Sequence, residues 1–215
     1  MGVKAWFVAY FDDDPKAVLG KAPELDRDAS RVLAEQLFPD ATIDAEDDGE
    51  LSLLNPDGKQ VFAGCYGGLQ IVAHDELAND YPSKIDPRWV DPARGFTAYV
   101  HATHSVVDWF AFGLWRDGNL IRSLSVSPDN GIQEQFGDPL PFETPYWQGQ
   151  HSVEDDDGEE PYPLPFHPLE LAEASILQHL GFQFEGKIDD WVCDPIDVPV
   201  ARFAIEKRRP IWKFW

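Results

Sequence analysis

The dipeptide Asp117-Gly118, set between two long apolar runs, constrains this chain more than any other feature. A two-residue type I′ turn needs positive φ at both central positions, and Asp-Gly supplies them. With Arg116 opposite Asn119, the spacing predicts a hairpin from Val106 to Val126 in a fixed register. Trp115 then faces Leu120, Ala111 faces Leu124 and Trp109 faces Val126 on one side of the sheet. On the other side Leu114 faces Ile121, Phe112 faces Ser123, Phe110 faces Ser125 and Asp108 faces Ser127. The first strand is apolar on both faces, as a central strand covered on both sides should be. The second carries Ser123, Ser125 and Ser127 on one face only. Small hydroxyls beside large aromatics leave a concave strip, so Asp108, Phe110, Phe112, Ser123, Ser125 and Ser127 form a candidate binding surface. The competing expectation is that Phe142, Tyr146 and Trp147, later in the chain, bury themselves there.

The rest of the chain reads as strands joined by short turns, with two clear helices. Val3 to Phe11 is an interior strand, and Asp14-Pro15 starts a helical turn to Leu19. Asp28 to Phe38 is a helix with Ala29, Val32, Leu33, Gln36 and Leu37 on one stripe. Val61–Cys65 and Leu69–Ala73 flank Tyr66-Gly67-Gly68 as a second hairpin. Asp75 to Arg94 allows single helical turns only, because Pro82, Pro87 and Pro92 forbid anything longer. Phe96 to Thr103 leads into the central hairpin, with a bend or bulge near His104-Ser105. After Pro128 the chain turns irregular and rich in proline and aromatics, as an ordered wrap over the sheet would be. Pro168 to Leu180 is the second helix, closed by Gly181, and Val198 to Ile205 a last strand. The expected fold is α+β: an antiparallel or mixed twisted sheet of six to eight strands, with both main helices on one face. Residues 1–205 form one domain in this reading. Residues 206–215 make a basic-aromatic C-terminal tail.

Composition narrows the function classes. A net charge of −22 leaves no basic footprint for nucleic acid or for an anionic membrane surface. A protein or basic peptide is the partner such a surface favours. No signal peptide, membrane-length apolar run or CxxC pair is present, and Cys65 and Cys193 stand far apart, so a cytoplasmic protein without a cofactor is expected. The tail inverts the charge of the body, with Arg208, Arg209 and Lys213 among Trp212, Phe214 and Trp215. Aromatics so concentrated should dock, either on the acidic body or across a homodimer that exchanges tails.

Four stretches, GCYGG at 64–68, HATHSVVDWFAFGLWRDGNLIRSLSVSPDNG at 101–131, GDPLPFETPYW at 137–147 and PYPLPFHPLELAEASILQHLGFQFEG at 161–186, resemble an uncharacterised actinobacterial family known only as a domain of unknown function. The resemblance extends over about residues 3–203 and implies a bacterial cytoplasmic protein. It carries no activity and no functional residues.

Chemistry can be sought in a few places. His101 and His104, with Asp108 and Ser105 nearby, hold the residue types of a metal site or a hydrolytic triad. On a regular strand, however, the two histidines point to opposite faces. Cys65, before a Gly-Gly turn, is a candidate nucleophile or a small packed core residue. Two functions follow as expectations. The first is a non-enzymatic acidic binding or interaction protein. The second is a hydrolase or metal-dependent enzyme centred on His101, His104 and Asp108, with Cys65 a further catalytic candidate.

Overall fold

A computed structural model describes residues 2–93, 95–153, 162–186 and 191–207. The acidic run 154–160 and most of the tail lie outside the described residues. The strands are β1 (Lys4–Phe11), β2 (Ala41–Ala45), β3 (Gly49–Glu50), β4 (Gln60–Cys65), β5 (Leu69–Ala73), β6 (Thr97–His104), β7 (Trp109–Arg116), β8 (Asn119–Ser127), β9 (Gly131–Phe136) and β10 (Pro199–Lys207). Helices α1 (Pro15–Leu19), α2 (Arg27–Leu37), α3 (Thr144–Trp147) and α4 (Pro168–His179) accompany them. One open sheet runs β2-β10-β4-β5-β1-β6-β7-β8-β9, with β3 on β10, and its pairings are antiparallel. Among the described residues ten strands exceed the six to eight expected, and β9 falls where an irregular segment was expected. Its six residues alternate poorly and lie at the sheet edge, so they carry little of the period-2 signal of a buried strand.

Both faces of the sheet are covered, which the apolar strands require. Along β1, Ala5, Phe7 and Ala9 point to one face and Val8 and Tyr10 to the other. The first face receives α4 through Leu171, Ala172 and Ile176, together with Phe166, Phe182 and the wrap. The second receives α2 through Leu33, Ala34 and Leu37, together with Trp89 from a run of 3-10 turns between Asp75 and Ala93. The two main helices therefore lie on opposite faces, not on one. The α2 stripe also turns slightly: Ser30, Leu33, Ala34 and Leu37 are buried, whereas Val32 is 51% exposed.

The central hairpin keeps the predicted turn, with Asp117 at φ 53° and Gly118 at 76°. Arg116 pairs with Asn119 and Trp115 with Leu120 as expected. A bulge between Leu114 and Trp115 then shifts the register by one, so that Leu114 pairs with Arg122, Gly113 with Ser123, Phe112 with Leu124 and Phe110 with Val126. One extra residue sends every later side chain of the strand to the other face. Leu124 and Val126 thus join Phe110 and Phe112 beneath α4, while Ser123, Ser125 and Ser127 lie with Gly113, Ala111 and Trp109. Gly113 suits this face because a Cβ there would stand 2.5 Å from the Trp115 ring.

The same bulge turns Arg122 into the core. Arg122 and Glu143 are both fully buried and form a bidentate pair, Nε to Oε1 at 2.9 Å and Nη2 to Oε2 at 2.6 Å. Arg122 also donates to the carbonyls of Phe136 and Gly137, each at 3.0 Å. Glu143 in turn accepts from the Leu140 amide at 2.8 Å and from Trp147 Nε1 at 3.2 Å. This fork ties the wrap to β8 and β9. The wrap then lays Phe142 against Phe112 and Trp147 edge-on against Phe166.

Candidate functional site

The residues singled out in the sequence do not converge. His101 is fully buried under α4, stacked on Phe7, with Nδ1 2.9 Å from the Tyr99 hydroxyl. Tyr99 is bonded in turn to Ser175 Oγ at 2.8 Å and stacked on His179. Burial lowers His101 to about 3, and it lowers His179 to about 4. These are neutral core histidines. His104 pairs with Trp109 on the opposite face of β6, so the regular alternation holds and no bulge joins the two rings. Asp108 sits in the β6–β7 turn at φ 47°, 3.7 Å from His167 Nε2. Among the described residues, no group of three or more His, Cys, Asp and Glu is placed to hold a metal ion.

The GCYGG motif resolves into separate duties. A Cβ on Gly64 would overlap the Tyr66 hydroxyl, which donates to the Pro199 carbonyl at 2.7 Å. Cys65 is buried, and its amide donates to Ser30 Oγ on α2 at 3.0 Å. Burial raises its thiol above the ordinary range, the reverse of what a nucleophile needs. Gly67 (φ 58°) and Gly68 (φ 105°) make the turn, and nothing lies within 4 Å of where their Cβ atoms would be. The three serines are occupied. Ser123 donates to Glu134, Ser125 accepts from Trp109 Nε1 at 3.1 Å, and Ser127 accepts from the Asn130 amide at 3.2 Å. Phe110 and Phe112 stack on each other on the far side of the sheet.

The open space lies elsewhere. Two cavities of about 620 and 550 Å³ adjoin at the carboxyl end of β1, sharing Asp12 and Gly68. The first lies on the α2 face against Tyr10, Leu33, Val32 and Phe96; the second lies on the other face against Val18 and Tyr66. Together they form a groove around the end of the sheet, with the bare Gly67-Gly68 turn in its floor. Among the described residues, Asp12, Asp13, Asp14 and Glu24 border it against a single amine, Lys21. Asp14 is engaged at the start of α1, accepting from the Lys16 amide at 3.0 Å. Val32 and Phe96, 51% and 39% exposed, supply an apolar wall.

A third cavity of about 600 Å³ opens beyond the end of α2, lined by Phe38, Asp40, His74, Asp75, Glu76 and Arg88 among others. His74 is buried between Phe38 and Trp89, with ring centroids at 4.8 and 5.5 Å. Its Nδ1 lies 3.3 Å from the Glu76 amide nitrogen and 3.1 Å from Asp75 Oδ1. Burial lowers its pKa, opposed by the charges of Asp75 and Glu76. Arg88 pairs with Glu76 and lies over the Phe38 and Trp89 rings. Sequence reading passed over this cluster because the segment reads as loop. The available signal was His-Asp-Glu closing a strand at 74–76 with Arg-Trp at 88–89.

Among the described residues no helix is long and apolar enough to cross a membrane. No curated protein and no solved structure matches the chain. The model of a family of unknown function, DUF6928, matches residues 5–203, nearly all of the sheet and both of its covering layers, and the chain belongs to that family.

Proposed function

We propose that this is a non-enzymatic, acidic binding protein of the bacterial cytoplasm whose ligand is a basic, extended segment of a partner protein. The observation that supports this most is the groove around Asp12 and Gly68, where, among the described residues, four carboxylates meet one amine beside an exposed apolar wall. Carboxylates at a groove rim form charge-assisted hydrogen bonds with Lys or Arg and steer a cationic partner inward. The bare Gly67-Gly68 backbone lets a second main chain come close, which a side chain at either position would prevent. Val32 and Phe96 give an aliphatic or aromatic residue of the partner a place to lose water.

A selection from a library of random linear peptides tests this. Peptides enriched on the protein should be rich in Lys and Arg and carry one or two apolar residues. Their affinity should fall at least about tenfold for the double variant Asp12→Lys, Glu24→Lys, as the loss and reversal of two rim charges implies. Both residues are exposed, so the fold should survive the change. Enriched peptides without basic residues, or peptides indifferent to the double variant, would sink the reading.

A further inference from the structure

We propose that Asn130 is a site of spontaneous modification, where the side-chain amide is lost to solvent as ammonia and an isoaspartate is left in the main chain. The inference starts from a contrast among the four asparagines. Asn55 precedes Pro56, whose ring nitrogen bears no proton. Asn79 precedes Asp80 and Asn119 precedes Leu120, so a side chain crowds the amide nitrogen that follows. Asn130 alone is followed by glycine, Gly131. Closing a five-membered ring from that nitrogen onto the side-chain carbonyl carbon needs a close approach within the main chain, which a residue without Cβ permits best.

The fold leaves this reaction open. Asn130 is exposed and ends the turn between β8 and β9. Gly131 opens β9 opposite Ser127, at the mouth of the hairpin, where ladder bonds open most readily. Nothing lies within 4 Å of where a Cβ on Gly131 would be, so the turn has room to rearrange. The side chain is held by one bond, from Nδ2 to Ser127 Oγ at 3.3 Å, longer than such bonds usually are. Asn79, by contrast, accepts from the Tyr81 amide at 2.8 Å, and Asn119 is paired with Arg116 in the central hairpin.

The step balances with water as the only co-reactant. The Gly131 nitrogen bonds to Asn130 Cγ, the Cγ–Nδ2 bond breaks, and the proton from that nitrogen leaves with ammonia. Water then opens the ring at either carbonyl. Opening at the main-chain carbonyl leaves isoaspartate, with the side-chain methylene now in the main chain; opening at Cγ leaves aspartate. The added methylene falls just before β9, whose Glu134 accepts from the Ser83 amide and whose Phe136 carbonyl accepts from buried Arg122. An aged chain is thus longer in the turn that sets the register of its edge strand. None of these residues lines the Asp12 groove, so the inference stands independently of the proposed ligand.

The test incubates the full chain in mildly alkaline buffer at physiological temperature and follows each asparagine by peptide mapping and mass spectrometry. Isoaspartate should accumulate at position 130 at least about tenfold faster than at 79 or 119, a barrier lower by about 1.4 kcal/mol. Labelling by an isoaspartyl methyltransferase with radioactive S-adenosylmethionine should report the same site, and Asn130→Gln, at an exposed position, should remove most of that signal. The rate in the native protein should lie within about tenfold of the rate in concentrated urea, because the fold does little to hold the side chain away. The inference is overturned by a rate at 130 that does not exceed the others by that margin, or by aspartate forming without isoaspartate. Protection in the native state beyond the stated factor, or a methylation signal that survives Asn130→Gln, overturns it as well.

Discussion

Truncating Glu143 to alanine should be among the most costly single changes in this protein. The side chain is fully buried, and its two oxygens take four hydrogen bonds: two from Arg122, one from the Leu140 amide and one from the Trp147 indole. Removing it leaves a buried guanidinium whose remaining partners are the carbonyls of Ser123, Phe136 and Gly137. Breaking a buried pair in this way costs about 3–5 kcal/mol, most of it the penalty of the charge left behind. Glu143→Gln keeps one carbonyl oxygen but loses the charge, and should cost about 1.5–3 kcal/mol. The double variant Arg122→Met, Glu143→Leu removes both charges and should cost less than Glu143→Ala alone, because the stranded cation is gone. Urea denaturation of wild type, the singles Arg122→Met and Glu143→Leu and the double, with m held common, closes the double-mutant cycle. A Glu143→Ala cost below about 1 kcal/mol, or single costs that simply add in the double, would refute the reasoning.

Trp109→Ala should lose about 3 kcal/mol in the same assay, since Trp109 is 9% exposed and its indole satisfies Ser125. A loss under about 1 kcal/mol would mean the ring is not packed. Cys65 should resist iodoacetamide at neutral pH until the protein unfolds, because burial both hides the thiol and raises its pKa. His101 and His179, lowered to about 3 and about 4, bind protons more readily in the unfolded chain. Their contribution is therefore complete above about pH 6.5 and lost as the pH falls toward 4 and 3, an acid limb that His179→Phe should make shallower. Glu173, raised to about 7 by burial, acts in the opposite sense, favouring the native state when protonated. Stability relative to wild type should thus rise in Glu173→Gln as pH climbs from about 4.5 to 7, and a flat difference would contradict this.

Much of the architecture was legible in local chemistry. Asp117-Gly118 sets its turn, Asp14-Pro15 starts α1, Pro168 and Gly181 bound α4, and the prolines at 82, 87 and 92 hold their segment to single 3-10 turns. What escaped depends on contacts distant in sequence. The bulge at Leu114/Trp115 leaves no local signature, yet it decides whether Arg122 or its neighbours enter the core. Its stabilising partner, Glu143, lies 21 residues away, and nothing in the sequence announces the pairing. The opposite placement of α2 and α4 was implicit in strands apolar on both faces, since one covered face would leave Val8, Val61 and Val72 in water. The candidate sites behaved similarly. His101, Cys65 and the serine row carry the residue types of function, but their surroundings commit them to packing and structural hydrogen bonds. The open cavities are built from Asp12, Gly68, His74 and Arg88, which meet only when strand ends and loops come together.

The central claim, that one groove rather than a diffuse acidic surface receives the ligand, can be tested directly by amide chemical-shift mapping of the isotopically labelled protein. The probe is a short peptide alternating Lys with Val, titrated at physiological ionic strength where non-specific attraction is screened. Saturable shifts confined to Asp12–Asp14, Lys21, Glu24, Val32, Gly67, Gly68 and Phe96 are the expected result. Small, unsaturable shifts scattered over acidic residues throughout the chain would contradict it.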